Sequence, residues 1–557
     1  MDQANQVRRS DGKMYKQIFD PVNHSLGTTS LFAVLPLLVL FLLLGVFNVR
    51  AHWAAMVGLA TSIVVALVVY SMPIGQAADS AFEGAMFGLF PIMWIVVNAI
   101  WIYTVTVKTG HFDVLRRSFA TVSDDHRVQS IIIAFCFGAL LEALAGFGTP
   151  VAITSVMLVA LGLKPFKAAA VALVANTAPV AFGAIAVPIT TLATVSGLPV
   201  HAVGSMVGRQ TPLLAIFVPL VLVFIVDGRR GLRETWPIAL ICGAAFGAAQ
   251  YVASNYISIQ LTDIIAALVA AGAVVATLRF WSPAAGAGRA AGGLLHGAAL
   301  PGGPGAALRR DSRADVARAY APYAVIIAVF GLAQLGLISD FLAKTTKKFG
   351  WPGLHVIGAT GKPVSLATFT LNWLPAAGSL LLIAGVITIV VLRVSLSDAL
   401  RAYWQTLRQL RWAILTVVGV LALAYVMNLS GETITLGRWV AGAGGVFALL
   451  SPMLGWLGVA VTGSDTSSNS LFGALQVTAA KHAGLSPTLM ASANSSGGVL
   501  GKMISPQNIA IGASAVGLHG QEGKLFRSVA GWSLLFLAVM SLLVFLQSTV
   551  LSGMVPS

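Results

Sequence analysis

The chain has 557 residues, 57% hydrophobic and only 10% charged, against about 25% charged in a soluble domain. A water-facing surface needs charge on about a quarter to a third of its residues, so soluble enzymes are excluded. A mean hydropathy of +0.87 agrees, and the chain reads as an all-α polytopic membrane protein. The net charge of +15 does not indicate nucleic acid. The basic residues lie scattered between apolar runs rather than on one aromatic-studded face, as expected if cytoplasmic loops retain Lys and Arg.

Apolar runs long enough to span fall, in chain order, near 31–49, 53–71, 86–107, 128–145, 146–162, 168–190, 211–227, 235–252 and 260–280. They resume near 321–338, 373–393, 412–429, 440–460, 463–480, 485–515 and 528–551. About 12–16 transmembrane segments are expected, because some runs are short or broken by Gly. Residues 1–30 form a hydrophilic tail, and the first run is too long for the core of a cleavable signal peptide. Residues 281–320 shift to Ala, Gly, Pro and Arg and read as a flexible linker between a first half, 31–280, and a second, 321–557. With each run crossing once and the N-terminus outside, inside loops hold about twice the Lys and Arg of outside regions. That bias favours this orientation, although the basic N-terminal tail argues against it.

A weak internal match divides the chain. GFGT at 146–149 is followed by Asn176, Gly183 and Pro188; GSDT at 463–466 is followed by Asn494, Gly501 and Pro506. The repeat cores span 142–198 and 459–518. In the counted topology they run in opposite directions, and inverted repeats with Gly/Pro-interrupted helices point to a transporter site at the bilayer midplane. Irregular backbone in hydrocarbon is tolerated where it lines a cavity. A helix that starts there offers free N–H groups and partial positive charge to a carboxylate. Gly146, Gly148, Gly463, Gly497 and Gly498 allow close backbone approach. Thr149, Asn176, Thr177, Ser464, Thr466, Ser467, Asn469, Asn494, Ser495 and Ser496 supply hydroxyls and amides, with Gln507 and Asn508 as weaker candidates.

The runs LEALAGFGTPVAI, TGSDTSSNSLFGALQ and ANSSGGVLGKMISPQNIAIGASAVGL resemble the bacterial L-lactate permease family, and the likeness covers essentially the whole chain. The resemblance implies proton-coupled uptake of L-lactate, with glycolate and D-lactate, across the bacterial cytoplasmic (inner) membrane. It also implies an inverted-repeat, elevator-type fold.

Three charged residues within the repeat cores carry the argument. Glu142 in LLEALAG costs several kcal/mol if ionised and unpaired; it suits a proton carrier, and equally a hydrogen bond tying two helices. Asp465 in GSDTSSN either caps the next helix or carries a proton when the anion is bound. Lys502 in VLGKMISP sits too deep to snorkel easily; it faces a substrate carboxylate or forms a fixed pair with Glu142 or Asp465. Asn176 and Asn494 either bind substrate or satisfy broken backbone.

Arg209 reads as an interfacial anchor, and Trp94, Asn98 and Tyr103 as a packing stripe. Cys136 and Cys242 read as inert packing residues, and His111, His126 and His482 as loop residues. No HExxH, no metal spacing and no P-loop occurs, so no catalytic residue, metal or cofactor is expected. The partners are a small carboxylate, protons and the lipid bilayer, without nucleic acid; a homo-oligomer is left open. A passive carboxylate channel or uniporter, a carrier for a different organic acid and a membrane subunit of a redox enzyme are the rival readings. A dicarboxylate carrier would want a second core cation beside Lys502.

Overall fold

A computed structural model describes residues 14–556, apart from 48, 121, 124, 147, 282–310, 334, 359, 360, 362 and 519. Most of the linker stretch, and residues 1–13 of the N-terminal tail, therefore lie outside the described residues. The described parts of those stretches already contain helix: one opens at Leu26 and another at Arg313.

The helices used below are α1 Leu26–Gly45, α2 Ala51–Val68, α3 Ile74–Lys108 and α4 His126–Leu144. A short pair follows, α5 Thr149–Ala160 and α6 Pro165–Ala175, and then α7 Gly183–Ser196. Next come α8 Val200–Ala215, α9 Val218–Val252, α10 Thr262–Phe280 and α11 Arg313–Ala333. The second half adds α12 Ala377–Val391, α13 Leu396–Ser430 and α14 Glu432–Thr462. It ends with α15 Asp465–Ala483, α16 Pro487–Gly501, α17 Pro506–Ala515 and α18 Glu522–Gln547. Two pairs of short strands are the only sheet among the described residues.

Ten helical stretches among these residues are long and apolar enough to cross a membrane, or eleven with the bent pair at 165–196 counted as one span. The 58-residue stretch Val200–Ile257 would be about 87 Å long at 1.5 Å per residue, nearly three times the ~30 Å hydrocarbon core. It turns back at Gly228, whose φ of 63° and ψ of −149° are open to glycine alone, so it crosses twice. Helices α5 and α12 are shorter still, at 12 and 15 residues.

Burial separates interior from rim. The most apolar window of α4 is 100% buried, against 33% for α1 and α10 and 28% for α11; α4 is the central helix, and the others present faces to lipid. On one side α13 packs along α2 and α3, with α12 against α3. The two halves interleave in the core: α5 packs on α17, α7 on α15, and α8 on α16.

Two helices are interrupted in this core, each for a local reason. After α6, Pro179 supplies no N–H, and Ala184, Ile185 and Ala186 follow with φ of 46°, 56° and 57°. Three consecutive left-handed residues cost about 1–2 kcal/mol each. After α16, Pro506 disfavours helical backbone at the residue before it. Ser505 is extended (ψ 137°) and its Oγ caps the restart, accepting from Asn508 N. In the internal match Ala184–Ala186 stand where Lys502–Ile504 stand, so both irregular turns fall on matched residues.

Candidate functional site

Lys502 opens the irregular turn after α16, and its side chain runs into the first half. Its Nζ donates to Glu142 Oε1 at 2.6 Å. Asn176, at the C-terminal cap of α6, donates from Nδ2 to Glu142 Oε2 at 2.9 Å. The amide orientation follows from the carboxylate, which accepts only; Asn176 Oδ1 is buried without a partner. Glu142 and Lys502 are 3% and 6% exposed, so the pair is shut from water. Glycine makes the space: a Cβ on Gly183 would lie 2.9 Å from Glu142 Oε1, and one on Gly146 3.2 Å away.

Asp465 forms the second centre. Ser464 is the residue that caps α15, its Oγ accepting from Ser467 N. The Asp465 carboxylate is therefore free of that duty. Its Oδ2 accepts from Ser495 Oγ at 2.5 Å and from Asn469 Nδ2 at 3.2 Å, while Oδ1 is buried without a partner. A Cβ on Gly498 would collide with that Oδ1. Asn469 also donates to Pro188 O across the halves, and Asn494 Nδ2 donates to Asn469 Oδ1 at 2.9 Å. Gln476 holds Asn494 Oδ1 at 3.1 Å and bonds Ser451 in both directions. Lys502 lies within electrostatic reach of Asp465, so the two centres share one cation.

The remaining sequence candidates divide. Ser496 Oγ donates to Gln210 Oε1 at 2.7 Å, and Gln210 continues to Gln547. Gly148, with φ of 84°, precedes α5 and packs against Ile511 and Asn508; Thr149, first in that helix, is half-buried. Thr177 satisfies its hydroxyl on Val174 O, and the Thr466 carbonyl accepts from Ser470. Gln507 is exposed. Asn508 is buried and donates to Ser505 Oγ and to the carbonyls of Lys502 and Gly463. Gly463, with φ of 75°, is crowded by Gln507.

Arg209 donates to Asn255 Oδ1 and Met554 O. Trp94 and Asn98 pack on α12 through Ser379 Oγ and Gly378 O, and Tyr103 stacks edge-on to Phe112. The free thiols of Cys136 and Cys242 are buried 3.6 Å apart. The histidine expectation needs correction: His111 and His126 open helices and His482 lies in the last turn of α15, because each adjoins a turn that periodicity places a few residues off. Among the described residues no group of His, Cys, Asp or Glu is placed to hold a metal.

Sequence reasoning passed over Asp263 and Gln250. Asp263 is 1% exposed in the first turn of α10, accepting from Gln250 Nε2 at 3.4 Å; Gln250 also donates to Ala178 O. An acid within the apolar run LTDIIAAL is the signal that would have found it.

The comparisons with known proteins identify the family. The L-lactate permease family model matches residues 29–551. The chain belongs to the L-lactate permease family. It is 40% identical over 560 residues to the glycolate permease GlcA of Escherichia coli K12, covering 98% of this chain and all of that one. The L-lactate permeases of Bacillus subtilis 168 and E. coli K12 are 39% and 40% identical, covering 97% and 98% of this chain and all of each relative. The permease is accordingly a multi-pass transport protein of the bacterial inner membrane.

Proposed function

We propose that this permease imports L-lactate, D-lactate and glycolate together with a proton, and that the two halves are inverted repeats whose interrupted helices meet at the binding site. The observation that carries the reading is the buried Lys502–Glu142 pair, 2.6 Å long and joining residues 360 positions apart.

A buried cation held by one carboxylate can be offered to another. When a substrate carboxylate takes Lys502, Glu142 loses its counter-charge in a low-dielectric site, where an unpaired ionised carboxylate costs several kcal/mol. A proton on Glu142 removes that cost. Anion and proton therefore enter together, and neither is stable in the site alone. Asn176, released from Glu142 and with Oδ1 unpartnered, accepts the 2-hydroxyl that lactate and glycolate share. Asp465, with Ser495, Asn469 and Asn494, forms the polar wall on the other side, and Ser464, Ser467, Thr466, Ser496, Thr149, Thr177, Gly148 and Gln507 frame it. In this reading Asp465 is the second proton-coupling group.

The test is labelled-lactate uptake into vesicles containing the purified protein, under an imposed pH gradient and then under voltage alone. One proton per anion predicts accumulation driven by the pH gradient and indifferent to voltage; each net charge moved would instead add about 2.3 kcal/mol per 100 mV. Equilibration without accumulation under either gradient replaces the symporter with a uniporter or channel. Glu142→Gln abolishes proton-driven accumulation.

A further inference from the structure

Charge bookkeeping around Lys502 leaves a residue unused. Glu142 touches the ammonium, and both Asp465 and Asp263 lie in its electrostatic field. One cation offsets one buried carboxylate. The others need donors or protons, and their supplies differ. Asp465 has a hydroxyl at 2.5 Å and an amide at 3.2 Å. Asp263 has one long amide contact, 3.4 Å from Gln250, and its Oδ2 is buried without any partner.

Asp263 is nonetheless tied to the site. Gln250 bridges it to Ala178 O, two residues past the Asn176 that holds Glu142, and α10 packs directly on the segment of α4 that carries Glu142. The charged groups acting on Asp263 are Glu142 and Lys502. Around it α9 offers the neutral Gln250, and the π-helical stretch Ile131–Phe137 of α4, α7 and residues 253–257 bring no charged side chain.

We propose that Asp263 holds the transported proton and passes it to Glu142 when the substrate carboxylate takes Lys502. This rests on the symport reading above. In the step, the O–H bond of the Asp263 carboxyl breaks and an O–H bond forms on the Glu142 carboxylate. The negative charge moves from Glu142 to Asp263, and a proton from the entry side then restores the Asp263 carboxyl. One anion and one proton have entered, and the site has gained no net charge. Asp263 is suited to this role by place as well as chemistry: it lies in the first turn after the loop 258–261, on the helix that packs against the Glu142 segment of α4.

The experiment compares the intact wild-type protein, Asp263→Asn and Asp263→Glu in vesicles. Each is assayed for lactate accumulation driven by a pH gradient and for lactate–lactate counterflow, which moves no net proton. Asp263→Asn is expected to lower proton-driven accumulation by about tenfold or more, as for loss of a member of a proton relay, and to flatten its dependence on external pH. Counterflow persists, and Asp263→Glu recovers accumulation. If the wild type itself is not driven by the gradient, the symport reading fails. If the wild type is driven and Asp263→Asn accumulates lactate with an unaltered pH profile, symport stands and the role of Asp263 is overturned. Loss of counterflow in an Asp263→Asn protein that melts like the wild type also overturns it, making Asp263 a binding residue.

Discussion

The Lys502–Glu142 pair makes a prediction about stability that differs from the one about transport. At 2.6 Å two unit charges attract by about 6 kcal/mol with an effective dielectric constant near 20. Desolvation of both ions consumes much of this, and breaking a buried pair by removing one partner costs about 3–5 kcal/mol because the other charge is stranded. Glu142→Gln strands Lys502, and Lys502→Met strands Glu142; each single variant should unfold at a lower denaturant concentration in detergent. The double variant strands nothing and should recover most of the loss, since replacing such a pair by neutral groups is often neutral or stabilising by about 1–4 kcal/mol. Transport should not recover. The double variant is predicted to be stable and inactive, with a coupling free energy of about 3 kcal/mol or more in the cycle. The readouts are chemical unfolding of all four proteins and lactate uptake by each. Additive destabilisation in the double variant would refute the claim that these charges depend on one another. Recovered uptake would refute their place in the transport cycle.

Gly498→Ala drives a Cβ into Asp465 Oδ1; overpacking of about 1–3 kcal/mol should cut uptake while the protein still inserts and purifies, and wild-type uptake by this variant would remove Asp465 from the site. Asn176→Ala should narrow the preference for lactate over propionate, which lacks the hydroxyl, by about 2–10-fold, the worth of one hydrogen bond; competition assays measure the ratio. Gln476→Leu leaves Asn494 Oδ1 without a partner, while Ser451 Oγ keeps Met490 O, and should cost about 1–3 kcal/mol of stability with no change in the pH profile of uptake. Arg127 is 2% exposed, with Asp125 at 2.7 Å, Glu234 at 2.6 Å and Asp227 at 3.3 Å. Arg127→Met should destabilise by about 1–3 kcal/mol, because the carboxylates it leaves are partly exposed, without altering selectivity among hydroxy acids.

The membrane class and the polar core were legible because hydrocarbon is an unforgiving solvent: any charge within an apolar run must have a partner, so Glu142, Asp465 and Lys502 stand out in the sequence. The Lys502–Glu142 pair was one of three arrangements that the sequence left open for Lys502, and only the interleaving of the halves selects it. Asp263 and Gln250 escaped because they fall outside the repeated motifs, and a single acid near the end of an apolar run looks like an interfacial residue. The network Gln476–Asn494–Asn469 was partly visible as residue types. Its bonding depends on which faces of α15 and α16 oppose each other, which periodicity does not fix. The interruption at 184–186 was foreshadowed by Gly183 and Pro188, but three left-handed non-glycine residues have no sequence signature.

On the proposed symport reading, the matched segments also account for one site and not two. Aligning Gly146 with Gly463 sets Glu142 opposite Val459 and Asp465 opposite Gly148; aligning Asn176 with Asn494 sets Lys502 opposite Ala184. At each position one half carries the charge and the other a small or apolar residue. Glycines at other positions make the room: Gly183 for Glu142, and Gly498 for Asp465. A symmetric pair of lysines would bind two anions and bury two cations, whereas one lysine contested by carboxylates from both halves makes binding of the anion conditional on a proton. In that reading the matched segments supply two interrupted helices, and the asymmetry of their charges supplies the coupling. It follows that moving the cation, with Lys502→Ala and Ala184→Lys together, should not restore proton-driven uptake. Ala184 lies in the left-handed turn (φ 46°), 4.0 Å from a Cβ on Gly146, and a lysine there lacks the helical backbone (φ −61°) that Lys502 has. Restored uptake in that variant would mean that the halves are interchangeable and that the asymmetry is incidental.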